Sequence, residues 1–429
     1  MNQLSALQAS DKEAWSLDQW LTYLEKIHPQ NIELGLERVK TVYQSLKLDF
    51  SHSTVVTVAG TNGKGTTCAF LEQALLCKEK SVAVFSSPHI IDYRERVRVA
   101  GAMLSEQAHC QAFLTVEAAR GETSLTYFEF GTLAALQLMT DSAADYLLLE
   151  VGLGGRLDAV NIVEPNIAVI TSIDLDHQDW LGNSKELIAI EKAGIFRPDI
   201  PAVIGEPEPP HSLLEAAETY QVKPSWQGRD FHYKLTQDGF CWHNSRREYK
   251  ALPIPNIPAQ NVSTALQVID ILELNLNELQ LVQVFENTHL PGRRQVIQQQ
   301  PKVILDVAHN PQSTSLLAKD IEGMPYKRVV AVVAMLADKD IKASLLPMQS
   351  VVTDWFCASV DSPRAATTLE LVSVLSNAKT VLNFNTVEDA YKQALAQAHK
   401  DDLIIVFGSF LTVADVLKIE ASKPQEKVK

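Results

Sequence analysis

The sequence predicts an α/β protein of two domains. These are an N-terminal P-loop, ATPase-like domain with a mostly parallel sheet and a smaller, doubly wound, Rossmann-like C-terminal domain. Three observations predict this fold class. A run rich in β-branched residues at 55–59 leads into a glycine-rich turn, a lysine and a helix-compatible segment. Several later apolar runs end in polar residues, as strands of open parallel sheets do. After residue 301, apolar strands alternate regularly with helical segments.

Length and composition agree with two globular domains. The chain has 429 residues, which exceeds the size of one ordinary hydrophobic core. Hydrophobic residues make up 46% of the chain and charged residues 21%, as is typical of globular proteins. The string Pro291-Gly292-Arg293 follows the last helical segment of the first half. We therefore expect domains at 1–292 and 293–429.

Charge and targeting signals exclude several classes of protein. The net charge of −14 argues against a nucleic-acid-binding protein, because such proteins present concentrated positive charge to phosphates. No apolar run reaches the roughly 18–20 residues that span a bilayer, so no membrane partner is expected. The five cysteines form no C-x-x-C pair, and the N-terminus lacks the plan of a signal peptide. We therefore expect a cytoplasmic protein.

Periodicity places the other elements. Helical spacing occurs at 15–48, 105–119 and 129–140, and the alternation at 94–99 is compatible with an exposed strand. Short hairpin strands are predicted at 230–250, around Gly239. In the C-terminal half, strands are predicted to begin near Val303, Val329, Thr353, Thr380 and Leu403.

The glycine-rich turn predicts a phosphate-binding site. Glycines let backbone N–H groups face an anion, the helix N-terminus adds positive potential, and a lysine neutralises phosphate charge. The pattern G-x-x-x-x-G-K-[ST] would require glycine at 58 and Ser or Thr at 65, whereas the chain has Val58, Gly65 and Thr66. A glycine-rich turn with a solvated lysine is the alternative. The expected phosphate-binding residues are Gly60, Thr61, Asn62, Gly63, Lys64, Gly65 and Thr66.

Polar residues at strand ends are candidates for metal binding. Glu150 ends the apolar run 146–150 downstream of the P-loop, as a Mg²⁺-holding Walker B acid does. Ser87 follows the run 81–85, where Pro88 alone could also account for a turn. His177 follows the run 167–171 and is either a metal ligand or a satisfied loop histidine. Lys192, near a predicted helix C-terminus, has the pattern of a solvated cap.

Two further stretches have both a plain and a functional interpretation. Residues 32–38 have the pattern of an amphipathic helix start. Residues 125–130 place aromatic side chains beside Glu129, which could line a pocket for a flat heterocycle. Alternatively, Phe128 and Phe130 are buried in the hydrophobic core rather than lining a pocket.

Taken together, these motifs resemble the folate branch of the Mur ligase superfamily, the dihydrofolate synthase/folylpolyglutamate synthase family. The resemblance runs from about residue 17 to 418, and the P-loop string is specific to the superfamily. In the family's order, the matching strings are Leu34-Gly35-Leu36-Glu37-Arg38, Gly60-Thr61-Asn62-Gly63-Lys64-Gly65-Thr66, Ser86-Ser87-Pro88-His89, Thr126-Tyr127-Phe128-Glu129, Glu150-Val151-Gly152-Leu153-Gly154-Gly155-Arg156-Leu157-Asp158, Asp176-His177, Glu191-Lys192-Ala193-Gly194-Ile195, Pro291-Gly292-Arg293 and Asp306-Val307-Ala308-His309-Asn310-Pro311. Of these, the strings at 34–38, 126–129 and 150–158 favour folate over cell-wall precursors.

The resemblance implies a role for each matching residue. ATP would contact Asn261, Arg293 and Asp306 besides the P-loop. Mg²⁺ would be held by Ser87 and Glu150, and His177 would join a second Mg²⁺. Lys192 would be modified to a carbamate, and the catalytic set would comprise Lys64, Lys192 and His309, with His309 the candidate near glutamate. The pterin-bearing substrate would lie near Ile32, Glu33, Leu34, Gly35, Thr126, Tyr127, Phe128, Glu129, Leu157, Asp158 and Ala159.

The resemblance also implies the reaction. The enzyme would use ATP to activate the carboxylate of dihydropteroate or a reduced folate as an acyl phosphate, which the amine of L-glutamate then attacks. We expect a monomer, because no exposed hydrophobic stripe stands out. The chain departs from the family at Glu33, where the family carries Asp, a change that keeps the charge.

Other functions remain open at this point. A monofunctional folylpolyglutamate synthase would lack activity on dihydropteroate. A cell-wall Mur ligase would act on a UDP-linked muramoyl substrate. A nucleotide-regulated binding protein would have a P-loop switch without ligase activity.

Overall fold

The computed structural model describes residues 12–30, 32–375 and 378–423. Contacts divide the chain into two compact units. The first consists of Met1–Ile173 and Leu181–Thr288, and the second of Asp174–Trp180 and His289–Lys429. The division into domains at 1–292 and 293–429 stays a prediction.

The first unit is built on an eight-stranded sheet in the order β4-β3-β2-β5-β1-β6-β7-β8. Strands β2, β5, β1, β6, β7 and β8 run parallel, and β3 and β4 complete one edge as antiparallel strands. The strands of this sheet are β1 (Thr54–Ala59), β2 (Val82–Phe85), β3 (Val97–Val99), β4 (Ala102–Met103), β5 (Tyr146–Glu150), β6 (Ile167–Ile170), β7 (Pro201–Ile204) and β8 (Lys223–Trp226). The mostly parallel sheet predicted for this half is confirmed.

Ten helices accompany this part of the described chain. They are α1 (Leu17–Leu24), α2 (Glu37–Leu46), α3 (Lys64–Cys77), α4 (Glu106–Arg120), α5 (Tyr127–Ser142), α6 (Gln178–Leu181, across the unit boundary), α7 (Lys185–Ala193), α8 (His211–Thr219), α9 (Ala259–Ile271) and α10 (Glu278–Asn287). Helix α3 follows β1 and packs against α9 and α10 as well as the sheet, so its residues are buried on more than one side. This burial stabilises the segment that carries the glycine-rich turn.

A three-stranded antiparallel sheet in the order β11-β10-β9 covers α9. Its strands are β9 (Phe231–Thr236), β10 (Gly239–Asn244) and β11 (Glu248–Leu252). The hairpin predicted around Gly239 is confirmed. The buried Trp242 side chain fixes the sheet to α9, because its indole N–H donates to the Ser263 carbonyl at 3.2 Å.

The second unit contains a six-stranded sheet in the order β12-β13-β17-β14-β15-β16. All neighbours are parallel except β12, which pairs with β13 in the antiparallel sense. Its elements are β12 (Gln295–Gln299), β13 (Lys302–Leu305), α11 (Pro311–Glu322), β14 (Val329–Val333), α12 (Ile341–Leu345), β15 (Asp354–Cys357), α13 (Thr368–Val374), β16 (Thr380–Asn383), α14 (Val387–Gln397), β17 (Leu403–Phe407) and α15 (Phe410–Ser422). The predicted alternation of strands and helices is confirmed, and the α/β fold class with it.

Local expectations differ from the structure in two places. The predicted exposed strand at 94–99 begins as a 3₁₀ helix, Tyr93–Arg96, and becomes strand only at β3. Arg96 is buried there, because it packs on Tyr93 and donates to His89. The helical pattern of 15–48 is interrupted between α1 and α2, so the described residues 32–36 form a loop.

None of the helices in residues 12–30, 32–375 and 378–423 has both the length and the apolar character that a bilayer crossing requires.

A buried ion pair joins α3 to β3 in the first unit. Arg98 contacts the Glu72 carboxylate with Nη2 at 2.7 Å and with Nε at 3.2 Å, and the Glu72 side chain is only 4% exposed. Replacing Arg98 by Met leaves that carboxylate buried without its cation. We expect Arg98→Met to lower the free energy of unfolding by about 3–5 kcal/mol, measured by urea titration.

Arg94→Met is the matched control, because Arg94 pairs with Asp92 at 2.6 Å where both side chains are about 30% exposed. Arg94→Met should lower the free energy of unfolding far less than Arg98→Met does, because solvent screens the exposed pair. Equal losses in the two variants would contradict the role of the buried pair.

Candidate functional site

The glycine-rich turn connects β1 to α3 and is closed in by its neighbours. Gly60 and Gly63 have φ of 152° and 88°, in the region that favours glycine. A Cβ on Gly60 would lie 1.8 Å from Thr171 Oγ1, and one on Gly63 would lie 2.4 Å from Asn261 Oδ1. Both glycines are therefore required by backbone conformation and by space.

Hydrogen bonds hold the loop in place. Thr61 N–H donates to the Ser172 carbonyl at 2.8 Å, and Asn62 N–H donates to Ser172 Oγ at 3.2 Å. Asn261 Nδ2 donates to Thr66 Oγ1 at 2.7 Å. The loop is thus attached to the end of β6 and to the first turn of α9, which fixes its shape at the N-terminus of α3. A helix N-terminus of this kind favours an anion.

The Lys64 ammonium group lies within the loop. Its Nζ donates to the Gly60 carbonyl at 2.9 Å and to the Thr61 carbonyl at 3.2 Å. The structure therefore holds the lysine against the backbone of the turn, and its charge is available there to a bound phosphate.

Glu150 ends β5 beside the glycine-rich turn. In the parallel register it pairs with Val58, two residues before Gly60. Its side chain is buried, and Oε2 accepts the N–H of Ser87, which follows β2, at 3.1 Å. The structure therefore brings the two predicted metal ligands of this unit together.

This donor set fits a divalent cation that prefers oxygen ligands. In the described part of the chain, no three His, Cys, Asp or Glu side chains come together as a ready-made metal site. Mg²⁺ is commonly held by one or two carboxylates, retained waters and substrate phosphates rather than by an all-protein cage. A buried carboxylate and a hydroxyl beside a phosphate loop agree with that mode.

Asp158 fixes the second glycine loop, which follows Glu150. Its Oδ2 accepts the N–H of Leu153 at 2.8 Å, and Oδ1 accepts the N–H of Val160 at 2.9 Å. The side chain is almost fully buried, and burial raises the pKa of Asp158 to about 6. Asp158 therefore has a structural role in this loop, independent of the substrate binding predicted for residues 157–159.

Lys192 lies in the last turn of α7 and is only 2% exposed. The alternative of a solvated cap is therefore wrong. Gly155 approaches this turn so closely that a Cβ on it would lie 2.8 Å from the Glu191 carbonyl and 3.0 Å from the Lys192 carbonyl. Arg156 N–H also donates to the Glu191 carbonyl at 2.7 Å. The loop after Glu150 and the turn that carries Lys192 are therefore packed together.

The aromatic stretch at 126–129 forms the start of α5. Thr126 and Glu129 cap the helix reciprocally, with Thr126 N–H donating to Glu129 Oε2 at 2.7 Å. Phe130 is core, as the plain interpretation holds, whereas Tyr127 and Phe128 are half-buried. A Cβ on Gly152 would lie 2.4 Å from Phe128 Cζ, so the Phe128 ring rests on the glycine loop beside Glu150.

Residues 32–35 are tied to this helix start by two side chains that sequence reasoning did not assign to the site. Arg38 pairs with both Glu33 and Glu129, and His28 contacts Glu33 with Nε2 at 2.8 Å. Arg38 belongs to the quoted string 34–38, which was the available signal. His28 carried none, because its partner lies five residues away in a loop.

The second unit holds the remaining predicted residues. Asp306, just after β13, accepts the N–H groups of Arg294 at 2.9 Å and Ala308 at 2.8 Å. The Arg293 guanidinium lies over the Phe410 ring, 5.0 Å from its centroid. His177 is exposed and has a positive φ of 51°.

His309 belongs to a cluster around Asp176 in the same unit. Its Nδ1 contacts the Val307 carbonyl at 2.8 Å, and its Nε2 lies 3.4 Å from Asp176 Oδ2. Lys339 Nζ reaches Asp176 Oδ1 at 2.6 Å. Although burial opposes it, hydrogen bonding to His309, with the charges of the two histidines and Lys339, holds the pKa of Asp176 far below its usual range.

Lys339 was missed by the sequence reasoning. It lies six residues past the end of β14, so the rule that drew attention to the other strand ends would have pointed towards it.

Two family models match the chain. The model described as the Mur ligase middle domain matches residues 58–205, and the one described as the Mur ligase glutamate ligase domain matches residues 292–410. The fold, with its glycine-rich turn, is thus that of a Mur ligase.

Relatives and solved structures narrow this class. The chain is 44% identical to the dihydrofolate synthase/folylpolyglutamate synthase of Escherichia coli, over 96% of this chain and 97% of the relative. The structure of Escherichia coli FolC in complex with DHPP and ADP superposes with a TM-score of 0.92 at 43% identity, covering 96% of this chain and 99% of that one. The bifunctional enzyme of Yersinia pestis, complexed with AMPPNP and Mn ion, gives a TM-score of 0.91 at 46% identity, with 95% and 99% covered.

The chain belongs to the dihydrofolate synthase/folylpolyglutamate synthase family. The resemblance drawn from the sequence motifs is confirmed.

The raised pKa of Asp158 predicts a pH dependence of stability. The folded state holds this proton more tightly than the unfolded chain, so the stabilisation is complete below the ordinary pKa of 3.8 and is lost as the pH rises through about 6. Asp158→Asn removes the titration and replaces an acceptor by a donor, so the variant is less stable than the wild type. Its deficit should shrink by roughly 2–3 kcal/mol from about pH 4 to about pH 7.

Urea unfolding of both proteins across this pH range measures the deficit directly. A deficit that stays constant with pH would contradict the burial of a protonated Asp158.

Proposed function

We propose that the chain is an ATP-dependent ligase that joins L-glutamate to 7,8-dihydropteroate and to reduced folates, releasing ADP and phosphate. The supporting observation is its match, at 44% identity over 96% of its length, to an enzyme named for both reactions. The phosphate loop and the buried Glu150 beside it support the ATP-dependent half of this proposal.

The first step activates a carboxylate, which is a poor electrophile. The γ-phosphoryl group of ATP passes to the pterin-bearing substrate's carboxylate, giving an acyl phosphate and ADP. In the turn from Gly60 to Thr66, the backbone N–H groups at the start of α3 would hold the phosphates. Lys64 would turn from the loop carbonyls to stabilise charge on the transferring oxygens. Asn261 supports this turn, and Arg293 and Asp306 are further proposed contacts of ATP.

The second step forms the amide. The unprotonated amine of glutamate attacks the acyl carbon, and phosphate leaves with the electrons of the C–O bond. The nitrogen, positively charged after the attack, then loses one proton to give the amide. No protein nucleophile is needed. His309 is proposed to lie near glutamate, as the family resemblance implies. Asp176 and the Val307 carbonyl orient its ring.

Ser87, Glu150 and His177 would hold the divalent cations, which we propose to be Mg²⁺. When bound, the metal neutralises negative charge on the phosphates. Lys192, which is 2% exposed, is proposed to carry a carbamate. A carbamate is an anion that would help to hold Mg²⁺, whereas an ammonium group beside the metal would be repelled.

The pterin ring is proposed to lie against residues 32–35, 126–129 and 157–159. Tyr127 and Phe128 offer half-buried aromatic surface there. We also propose that the protein is a cytoplasmic monomer with domains at 1–292 and 293–429.

ADP release by the purified protein tests the function. With Mg-ATP and L-glutamate present, we expect release with 7,8-dihydropteroate in one reaction and with tetrahydrofolate in a parallel one. Release with tetrahydrofolate alone would show that the protein is a monofunctional folylpolyglutamate synthase. No release with either, from folded protein that binds ATP, would overturn the folate assignment.

Lys64→Ala is the catalytic control in this assay. It removes the proposed phosphate clamp, so it should abolish ADP release in both reactions. Normal turnover would refute the role of Lys64 while leaving the substrate assignment intact.

The metal site predicts a shifted cation requirement. Glu150→Gln replaces the buried carboxylate by a neutral amide, which binds Mg²⁺ weakly. The Mg²⁺ concentration that gives half-maximal ADP release should rise by about tenfold or more.

Glu164→Gln is the matched control, since the Glu164 side chain is 73% exposed on the surface. Its Mg²⁺ titration should overlay that of the wild type. An unchanged titration in Glu150→Gln would remove Glu150 from the metal site.

A further inference from the structure

One arginine joins two stretches that we propose for the pterin-bearing substrate. Arg38 Nη2 donates to Glu129 Oε1 at 2.9 Å, and Nε donates to Glu129 Oε2 at 3.4 Å. The same guanidinium pairs with the Glu33 carboxylate and donates to the Glu33 carbonyl at 3.0 Å. Arg38 thereby joins Glu129, which is 91 positions away in the sequence, to Glu33, which is 5 positions away.

The Glu129 end of this bridge is rigid. Glu129 is only 4% exposed, and its Oε2 also accepts the Thr126 N–H at 2.7 Å in the capping box of α5. Arg38 itself lies in the first turn of α2. Two helix starts therefore fix the guanidinium, so that it holds the more exposed Glu33 from a firm position.

The Glu33 end is held a second time by His28. His28 Nε2 contacts Glu33 Oε2 at 2.8 Å, and Nδ1 contacts Ser124 Oγ at 2.7 Å. The His28 side chain is 6% exposed. Loop 32–35 is thus tied at two points to the segment 124–129, which places both stretches as one unit.

The bridge connects to the reaction site through Phe128. Phe128 precedes Glu129 in the first turn of α5, and its ring rests on Gly152, just past Glu150. Loss of the Arg38–Glu129 contact would therefore let residues 32–35 shift relative to the aromatic surface and the glycine loop. Such a shift would misplace a substrate whose carboxylate must meet the phosphoryl group.

We propose that Arg38 is a positioning residue for the pterin-bearing substrate. It sets the separation of residues 32–35 and 126–129 for both the dihydropteroate and the reduced-folate reactions, without contacting ATP. This inference rests on the proposed function. The planar fork of arginine can bind two carboxylates at once, whereas a lysine ammonium is a single point charge on a flexible stem.

Arg38→Lys tests this proposal by steady-state kinetics with each substrate varied in turn. We expect KM for dihydropteroate and for tetrahydrofolate to rise by about tenfold or more, the scale of one lost charge-assisted hydrogen bond. KM for ATP should stay within about twofold of the wild type, because the partners described for Arg38, Glu33 and Glu129, lie outside the glycine-rich turn. Direct titration of dihydropteroate into the protein with ADP present should weaken by the same factor.

Arg328→Lys is the matched control in the second unit. Arg328 also bridges two carboxylates, Asp354 at 3.1 Å and Asp402 at 3.0 Å, and its side chain is 28% exposed against 24% for Arg38. Its KM values should all match the wild type. Thermal unfolding of both variants separates loss of positioning from loss of fold.

Glu33→Gln provides the second variant, since it weakens the loop end of the bridge while leaving the buried Glu129 pair intact. It should raise the same two KM values with little change in unfolding temperature. Unchanged pterin KM values in both variants, or an equal rise in KM for ATP, would overturn the positioning role. Absence of turnover in the wild type would instead overturn the proposed function.

Discussion

The attachment of the glycine-rich turn to β6 and α9 is the constraint on which the rest of the site depends. A loop that offers backbone N–H groups to an anion cannot use them in a sheet or helix, so neighbours must hold its shape. Ser172 binds one side of the turn, and Asn261 binds the Thr66 hydroxyl on the other. The space beside Gly60 is filled by Thr171 and that beside Gly63 by Asn261, which leaves no room for a side chain.

The first unit buries several carboxyl groups, and the three described above are matched by local partners. Glu150 accepts the Ser87 N–H, Asp158 accepts two backbone N–H groups, and Glu129 is paired with Arg38. Unpaired, such groups would destabilise the fold by several kcal/mol, on the order of its whole net stability. The same groups that stabilise loops in the first unit therefore also give the site its fixed geometry.

Much of the fold was predictable, because its signals are local. Each strand predicted in the C-terminal half exists, since a buried parallel strand is a continuous apolar run whatever its neighbours are. The edge strand β12 was missed because its sequence, rich in glutamine, lacks that signal. The stretch 94–99, predicted as an exposed strand, also lacked a local signal for its structure. Arg96 is buried because Tyr93 and His89 lie next to it in space.

The sequence by itself determined the fold class, the glycine-rich turn and the place of Glu150 at a strand end, because each depends on residues adjacent in the chain. Family membership followed from the order of such strings. Only the tertiary structure decided that Lys192 is buried, that Phe128 rests on Gly152, and which carboxylates Arg38 and Lys339 bind. These facts depend on contacts between residues far apart in sequence, for which spacing and composition carry no signal.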